Sequence, residues 1–191
     1  MSSGRTSTLA QEVGRRIQAL RADRGISLSE LARGASLGKA TLSAVESGTR
    51  NATLETLYAI AARLDVPLAA LLAPPTPSSA PTAVHGTAVT AELLEVFTDE
   101  GATTELYRLT IHPGPTQTSP AHPGGVVEYL TVFSGTALVG PQGAPITVAA
   151  GGHVSFASDV PHIYAALDVE VRASLVIRHP ARRRSEGPVR A

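Results

Sequence analysis

Residues Ser27 to Gly48 read "SLSELARGASLGKATLSAVESG". Ser27 and Glu30 have the spacing of a capping box, in which the serine hydroxyl and the glutamate carboxylate satisfy each other's backbone N–H groups. A helix is therefore expected to start there, with Leu28 and Leu31 turned inward. Gly34 and Gly38 bracket a short turn. A second helix is expected from about Lys39 to Ser47, ended by Gly48, with Leu42 and Val45 as a narrow apolar stripe. Two short helices joined by a tight glycine-containing turn suggest a helix-turn-helix; periodicity alone leaves a plain helical bundle open.

Working outward, the helical period continues on both sides. Leu9, Val13, Ile17 and Leu20 mark one face of a preceding helix that ends near Gly25. Thr53 is a good N-cap for a helix carrying Leu54, Leu57, Ile60 and Leu64. "PLAALL" predicts a last short helix with Pro67 in its first turn. The first 72 residues thus read as five helices. The period breaks at "APPTPSSAPTAV", residues 73–84, whose four prolines read as an extended, semi-rigid linker.

Beyond it the period is two. Eight strand-like runs ("ELLEVF", "TTELYRLTI", "VVEYLTVF", "TALVG", "APITVA", "HVSFA", "HIYAAL" and "VRASLVI") alternate with turn residues. Their number and spacing predict a small antiparallel sandwich or barrel over residues 85–180. Residues 181–191, with Arg182, Arg183 and Arg184, read as a basic, disordered tail.

Composition narrows the function classes. Apolar residues at 43% support a packed core, and 17% charged residues argue against global disorder. The absence of cysteine excludes disulfides, thiolate metal sites and cysteine nucleophiles. No apolar run is long enough to span a bilayer, and the first residues lack the continuous apolar segment of a secretion signal. A soluble, cytoplasmic protein without membrane contact is expected. The net charge of zero conceals +3 on residues 1–72, −6 on residues 73–178 and +3 on residues 179–191. An anionic partner fits the first module only.

The stretch from Ile17 to Leu72 resembles the phage-repressor (Cro/CI, xenobiotic-response-element) helix-turn-helix family. "SLSELA" corresponds to its scaffold helix, "TLSAVESGTRN" to its recognition helix and exit, and "TLETLYAIAARLDVPL" to its packing helices. The resemblance implies that the helix from Lys39 enters the major groove of double-stranded DNA. Lys39, Ala40, Thr41 and Ser43 would face base edges. Arg50 and Asn51 match positions that hold phosphates, and Ser27 and Ser29 sit where a helix N-terminus favours one. On the bland reading Ser27 only caps and Lys39 is a solvated charge. Glu46 fits an ion pair inside the module better than a base contact.

The second half resembles the cupin family. One cupin segment runs G-x5-H-x-H-x3-E-x6-G, and "HPGGVVEYLTVFSG" aligns on Glu128 and Gly135, with His122 and Gly124 at the two histidine positions. The other segment runs G-x5-P-x-G-x2-H-x3-N and aligns Gly151, Ala157, Asp159, His162 and Ala166. The resemblance implies a double-stranded β-helix barrel with His122, Glu128 and His162 at three metal-ligand positions and Gly124 in place of a fourth. Two histidines and a carboxylate with open positions suit iron, manganese or nickel. His112 and His153 are candidate substitutes for the fourth ligand. The alternative is an organic-effector pocket in which His122, Glu128, His162 and Tyr164 make hydrogen bonds.

A repressor-like module followed by a cupin is the layout of a bacterial regulator class. It implies a homodimer, a roughly palindromic operator and a small-molecule effector. The same layout resembles the hydroxypropylphosphonate epoxidases, which implies a metal-dependent oxidase instead. In those enzymes the first histidine and the glutamate lie closer in sequence than His122 and Glu128. Arg108, Arg172 and Arg178 are the barrel cations that could hold an anionic substrate.

Overall fold

The computed structural model describes residues 3–72 and 82–181. Four α-helices come first: α1 (Ser3–Asp23), α2 (Leu28–Gly34), α3 (Lys39–Glu46) and α4 (Leu54–Leu64). The capping box at Ser27 and Glu30 is present in both directions, and Thr53 caps α4. Val13 and Ile17 of α1, Leu31 of α2, Leu42 and Val45 of α3, and Leu57, Ile60 and Leu64 of α4 are buried together. Each such side chain contributes about 1.5–3 kcal/mol through removal from water.

Two glycines let the helices close up. A Cβ at Gly14 of α1 would lie 2.5 Å from the carbonyl oxygens of Val45 and Glu46, so α1 crosses directly on the end of α3. Gly48 ends α3 with φ +69°, and a side chain there would strike the Gln11 backbone. The helix expected at "PLAALL" is instead a single 3₁₀ turn, Leu68–Ala70. Pro67 is extended, and Pro74 and Pro75 follow too soon for an α-helix to propagate. The module is therefore four α-helices and a 3₁₀ turn, with Leu68, Leu71 and Leu72 buried against it.

The second module is all β. Its strands are β1 (Thr82–His85), β2 (Val89–Thr98), β3 (Ala102–Ile111), β4 (Gln117–Ser119) and β5 (Val127–Ser134). They continue with β6 (Thr136–Pro141), β7 (Ile146–Ala149), β8 (His153–Ala157), β9 (His162–Ala166) and β10 (Val171–Pro180). All strand pairs are antiparallel. They form a six-stranded sheet, β1-β2-β3-β10-β5-β8, and a four-stranded sheet, β4-β9-β6-β7. This is the two-sheet cupin barrel implied by the resemblance.

The eight strand-like runs correspond to β2, β3 and β5 to β10; β1 and β4 were not expected. β1 starts at Thr82, inside the stretch read as linker to residue 84, because Thr82 to His85 pair with Leu93 to Thr90 of β2. β4 is only three residues long and follows a turn rich in Pro and Gly. The rest of the linker and the arginines at 182–184 lie outside the described residues.

Candidate functional site

The exposed face of the helical module carries the residues expected at DNA. Lys39, Ala40, Ser43, Arg50 and Asn51 are exposed and Thr41 is half-buried, while Leu42 and Val45 turn into the core. Ser29 is exposed. Ser27 is exposed too, but its hydroxyl already accepts the Glu30 N–H at 3.2 Å. Glu46 faces away from this surface and pairs bidentately with Arg21, Nε to Oε1 at 2.7 Å and Nη2 to Oε2 at 2.9 Å. A third Arg21 nitrogen donates to the Ile26 carbonyl at 3.0 Å. One guanidinium thus ties the end of α3 to α1 and to the turn before α2, which fixes how α3 stands out from the module.

Inside the barrel, alternation along β5 turns Glu128, Leu130 and Val132 inward, and alternation along β9 does the same for His162 and Tyr164. His122 lies in the β4–β5 connection, anchored by its N–H to the Ser158 carbonyl at 2.9 Å. The Pro123–Gly124–Gly125 break folds that connection back, and the imidazole reaches the carboxylate despite the interrupted strand. His122 Nε2 lies 2.9 Å from Glu128 Oε1, and His162 Nε2 lies 3.2 Å from the same oxygen. Tyr164 donates its hydroxyl to Glu128 Oε2. His122, Glu128 and His162 are the one group of three potential metal ligands among the described residues, their ligand atoms all within 4.8 Å.

The electrostatics follow from the burial. Desolvation alone would raise the Glu128 carboxyl, but hydrogen bonds and charge from His122 and His162 hold it well below the usual range. Burial pulls His162 down, yet the Glu128 carboxylate and the Val160 carbonyl together keep it above its ordinary value. His162 Nδ1 donates to the Val160 carbonyl at 2.9 Å. Nε2 must therefore carry a second proton to bond the carboxylate, or surrender its lone pair to a cation.

That arrangement fits a divalent metal. Bonds of ~2.1 Å meeting at roughly 90–110° need ligand atoms roughly 3.0–3.4 Å apart, close to the two histidine–carboxylate spacings found. The backbone-held Nδ1 is the usual outer support of a metal-binding histidine. Gly124 is exposed outside this cluster, and a Cβ there would meet nothing within 4 Å. Neither candidate substitute joins it: His112 is exposed beside Thr90 and Glu170, and His153 is exposed and bonded to Thr131.

Sequence reading missed a second polar group beside the first. Ile177 of β10 faces Glu128 of β5 on one side and Glu105 of β3 on the other. Glu105 is fully buried, meets His179 Nε2 at 3.2 Å and accepts the Ala69 N–H of the 3₁₀ turn at 2.5 Å. Its phase with Tyr107, Leu109 and Ile111 in "ELYRLTI" was the available signal. Tyr58 of α4 was also missed. Its ring packs T-shaped on His122, with centroids 4.8 Å apart. Tyr107 Oη and Gln117 Nε2 are buried without a hydrogen-bond partner among the described residues.

A helix-turn-helix family model, HTH_3, matches residues 17–71. The HTH-type transcriptional regulator SutR of Escherichia coli K12 is 31% identical over 157 residues, 82% of this chain and 88% of SutR. The chain belongs to the SutR family of helix-turn-helix regulators. DNA is accordingly its partner. An HTH_3-family regulator from Vibrio cholerae shares the fold across both modules. Its TM-score is 0.77 at 24% identity, covering 92% of this chain and 99% of that one. Hydroxypropylphosphonic acid epoxidase from S. wedmorenis aligns over 91% of this chain and 99% of its own at 18% identity. Its TM-score of 0.39 says nothing of activity. No described helix of this regulator is long and apolar enough to cross a membrane.

Proposed function

We propose that this regulator senses a small ligand in its barrel, that His122, Glu128 and His162 hold a divalent first-row metal there, and that occupancy sets DNA affinity. The convergence of two imidazole Nε2 atoms on one buried carboxylate oxygen carries the reading. A metal bound there would supply positive charge and open coordination positions for an effector. The chain's own parts are to orient the His162 ring through Val160, to anchor the His122 backbone through Ser158, and to exclude water. Tyr164 holds the second carboxylate oxygen. Iron, manganese and nickel suit the nitrogen–oxygen donor set.

On the DNA side, Lys39, Ala40, Thr41 and Ser43 read base edges, Arg50 and Asn51 hold phosphates, and Ser27 and Ser29 add contacts at the start of α2. A single module of this size makes a small interface, so the working form is a homodimer on a roughly palindromic operator in the cytoplasm.

Among the described residues, none of the three barrel arginines is free inside the barrel to hold the anionic substrate that the oxidase alternative needs. Arg108 is exposed and paired with Glu92, Arg172 is exposed beside Glu170, and Arg178 is exposed. We therefore read the protein as a regulator and not an enzyme. An organic effector bound directly is the second reading, favoured by Tyr107 Oη and Gln117 Nε2, which a polar ligand would satisfy.

The test is elemental analysis of protein purified without chelator or affinity metal, beside a His122→Ala/His162→Ala variant. About one iron, manganese or nickel per chain, lost in the variant, is expected. No stoichiometric metal in the parent would leave the organic-effector reading.

A further inference from the structure

The barrel site is closed from outside by the DNA-binding module. Within the cluster, His122, Glu128 and His162 side chains are at most 4% exposed. The ring that covers His122 from the helical side is Tyr58, itself buried. Tyr58 therefore lies directly against the barrel cluster, with its ring on that of His122.

Further contacts bind the same helical surface to the barrel. Glu55, one turn before Tyr58 on α4, accepts both the N–H and the hydroxyl of Thr87 at 2.7 Å. Ala69 in the 3₁₀ turn donates to Glu105. The seam between the modules opens as a cavity of about 380 Å³, with Val66 and Pro67 on one wall and Thr103, Pro123, Gly124 and His179 on the other. The His179 ring is 6.2 Å from His122, so this cavity adjoins the cluster. Gly124, which stands where a cupin histidine would, lines the seam and leaves it open.

We infer that the sensor site is shared between the two modules, with Tyr58 as its lid and as the residue through which occupancy reaches the DNA-binding surface. The inference rests on the proposed sensing role of His122, Glu128 and His162. An occupant that neutralises Glu128, or is bulkier than an ion, meets Tyr58 first and changes the interaction that docks α4. Helix α4 begins three residues after Asn51, and its first turn carries the Glu55 clamp. A change in docking therefore acts on the segment that holds Arg50 and Asn51. The difference in interaction energy between docked and lifted α4 is what can couple the two sites.

The experiment uses the full chain and a DNA fragment selected by the parent protein from a random pool. Binding is measured by fluorescence anisotropy for the parent, Glu128→Gln, Tyr58→Leu and the double variant. The same titrations are made with and without Mn²⁺ or Ni²⁺, and metal affinity is measured separately by calorimetry. We expect Glu128→Gln to shift DNA affinity about fivefold when Tyr58 is present and less than about twofold in the Tyr58→Leu background. Tyr58→Phe, which keeps the ring, should retain the full shift. Bound metal should shift DNA affinity in the parent but not in Tyr58→Leu, although both bind it. Equal shifts with and without Tyr58, or losses that simply add, overturn the inference. If no metal binds, the proposed metal role falls, and the Glu128→Gln cycle alone decides the lid. If Glu128→Gln does not fold, the metal arm decides it.

Discussion

Glu105 and Glu128 flank Ile177 from its two neighbouring strands, so the barrel buries two carboxylates in one row across its inner face. Each has its own set of partners: His122, His162 and Tyr164 for Glu128, and His179 with the Ala69 N–H for Glu105. Removing the second carboxylate strands a partly buried imidazole and a backbone N–H. Glu105→Ala should cost about 3 kcal/mol of unfolding free energy. Glu105→Gln, which still accepts from Ala69, should cost about 1–2 kcal/mol. Urea denaturation compares them, and near-zero losses in both would show that the pair contributes nothing.

Arg21 makes three hydrogen bonds from one guanidinium, two to Glu46 and one to Ile26, with side chains largely buried. Arg21→Ala should destabilise the helical module by about 2–3 kcal/mol. Arg21→Lys should recover less than half of that, since a single ammonium cannot present the planar fork. The same variants should weaken DNA binding, because α3 loses its fixed stance. Denaturation followed by circular dichroism checks the first claim. A lysine variant as stable as the parent would sink it.

The helical module was legible because its signals are local. The Ser27–Glu30 cap, the glycine at the end of α3 and the threonine before α4 each act within one turn. The barrel strands were legible where period-two runs were long. β1 and β4, at four and three residues, carry too little pattern to register. Two of the three clustered residues needed only strand phase, but His122 reaches Glu128 through a proline–glycine loop whose path no spacing rule specifies. Tyr58 gave no signal as a site residue, because its partner lies 64 positions along the chain. Glu105 was legible in principle, since Tyr107, Leu109 and Ile111 set the inward phase on β3.

Arg50 stands exposed just beyond α3, beside Asn51, with no partner needed to hold it in the fold. Arg50→Ala should weaken binding to every DNA sequence alike and lower the slope of log affinity against log salt by about 1. Thr41→Ala, at the start of α3 where we propose that bases are read, should instead alter which sequences are preferred and leave that slope unchanged. Titrations at several salt concentrations separate the two roles. An Arg50→Ala protein with the parent's slope would remove Arg50 from the phosphate contacts.

The His162–Glu128 pair makes opposite pH demands on the metal-free and metal-bound protein. Glu128 is held below its ordinary pKa, so its contribution to stability is present above about pH 4.3 and lost as acid protonates it. His162 is held above its ordinary pKa, so its contribution is complete below about pH 6.5 and lost as pH rises through the folded value. Metal-free protein should therefore be most stable between those limits and weaken toward pH 8.5. Metal must displace the proton on His162 Nε2, so metal affinity should rise over the same range, by up to about tenfold per pH unit for one proton released. Denaturation midpoints and calorimetric metal titrations at pH 6 and pH 8.5 test both trends. Metal affinity unchanged between those values would mean that His162 gives up no proton, and that the ion does not bind its Nε2.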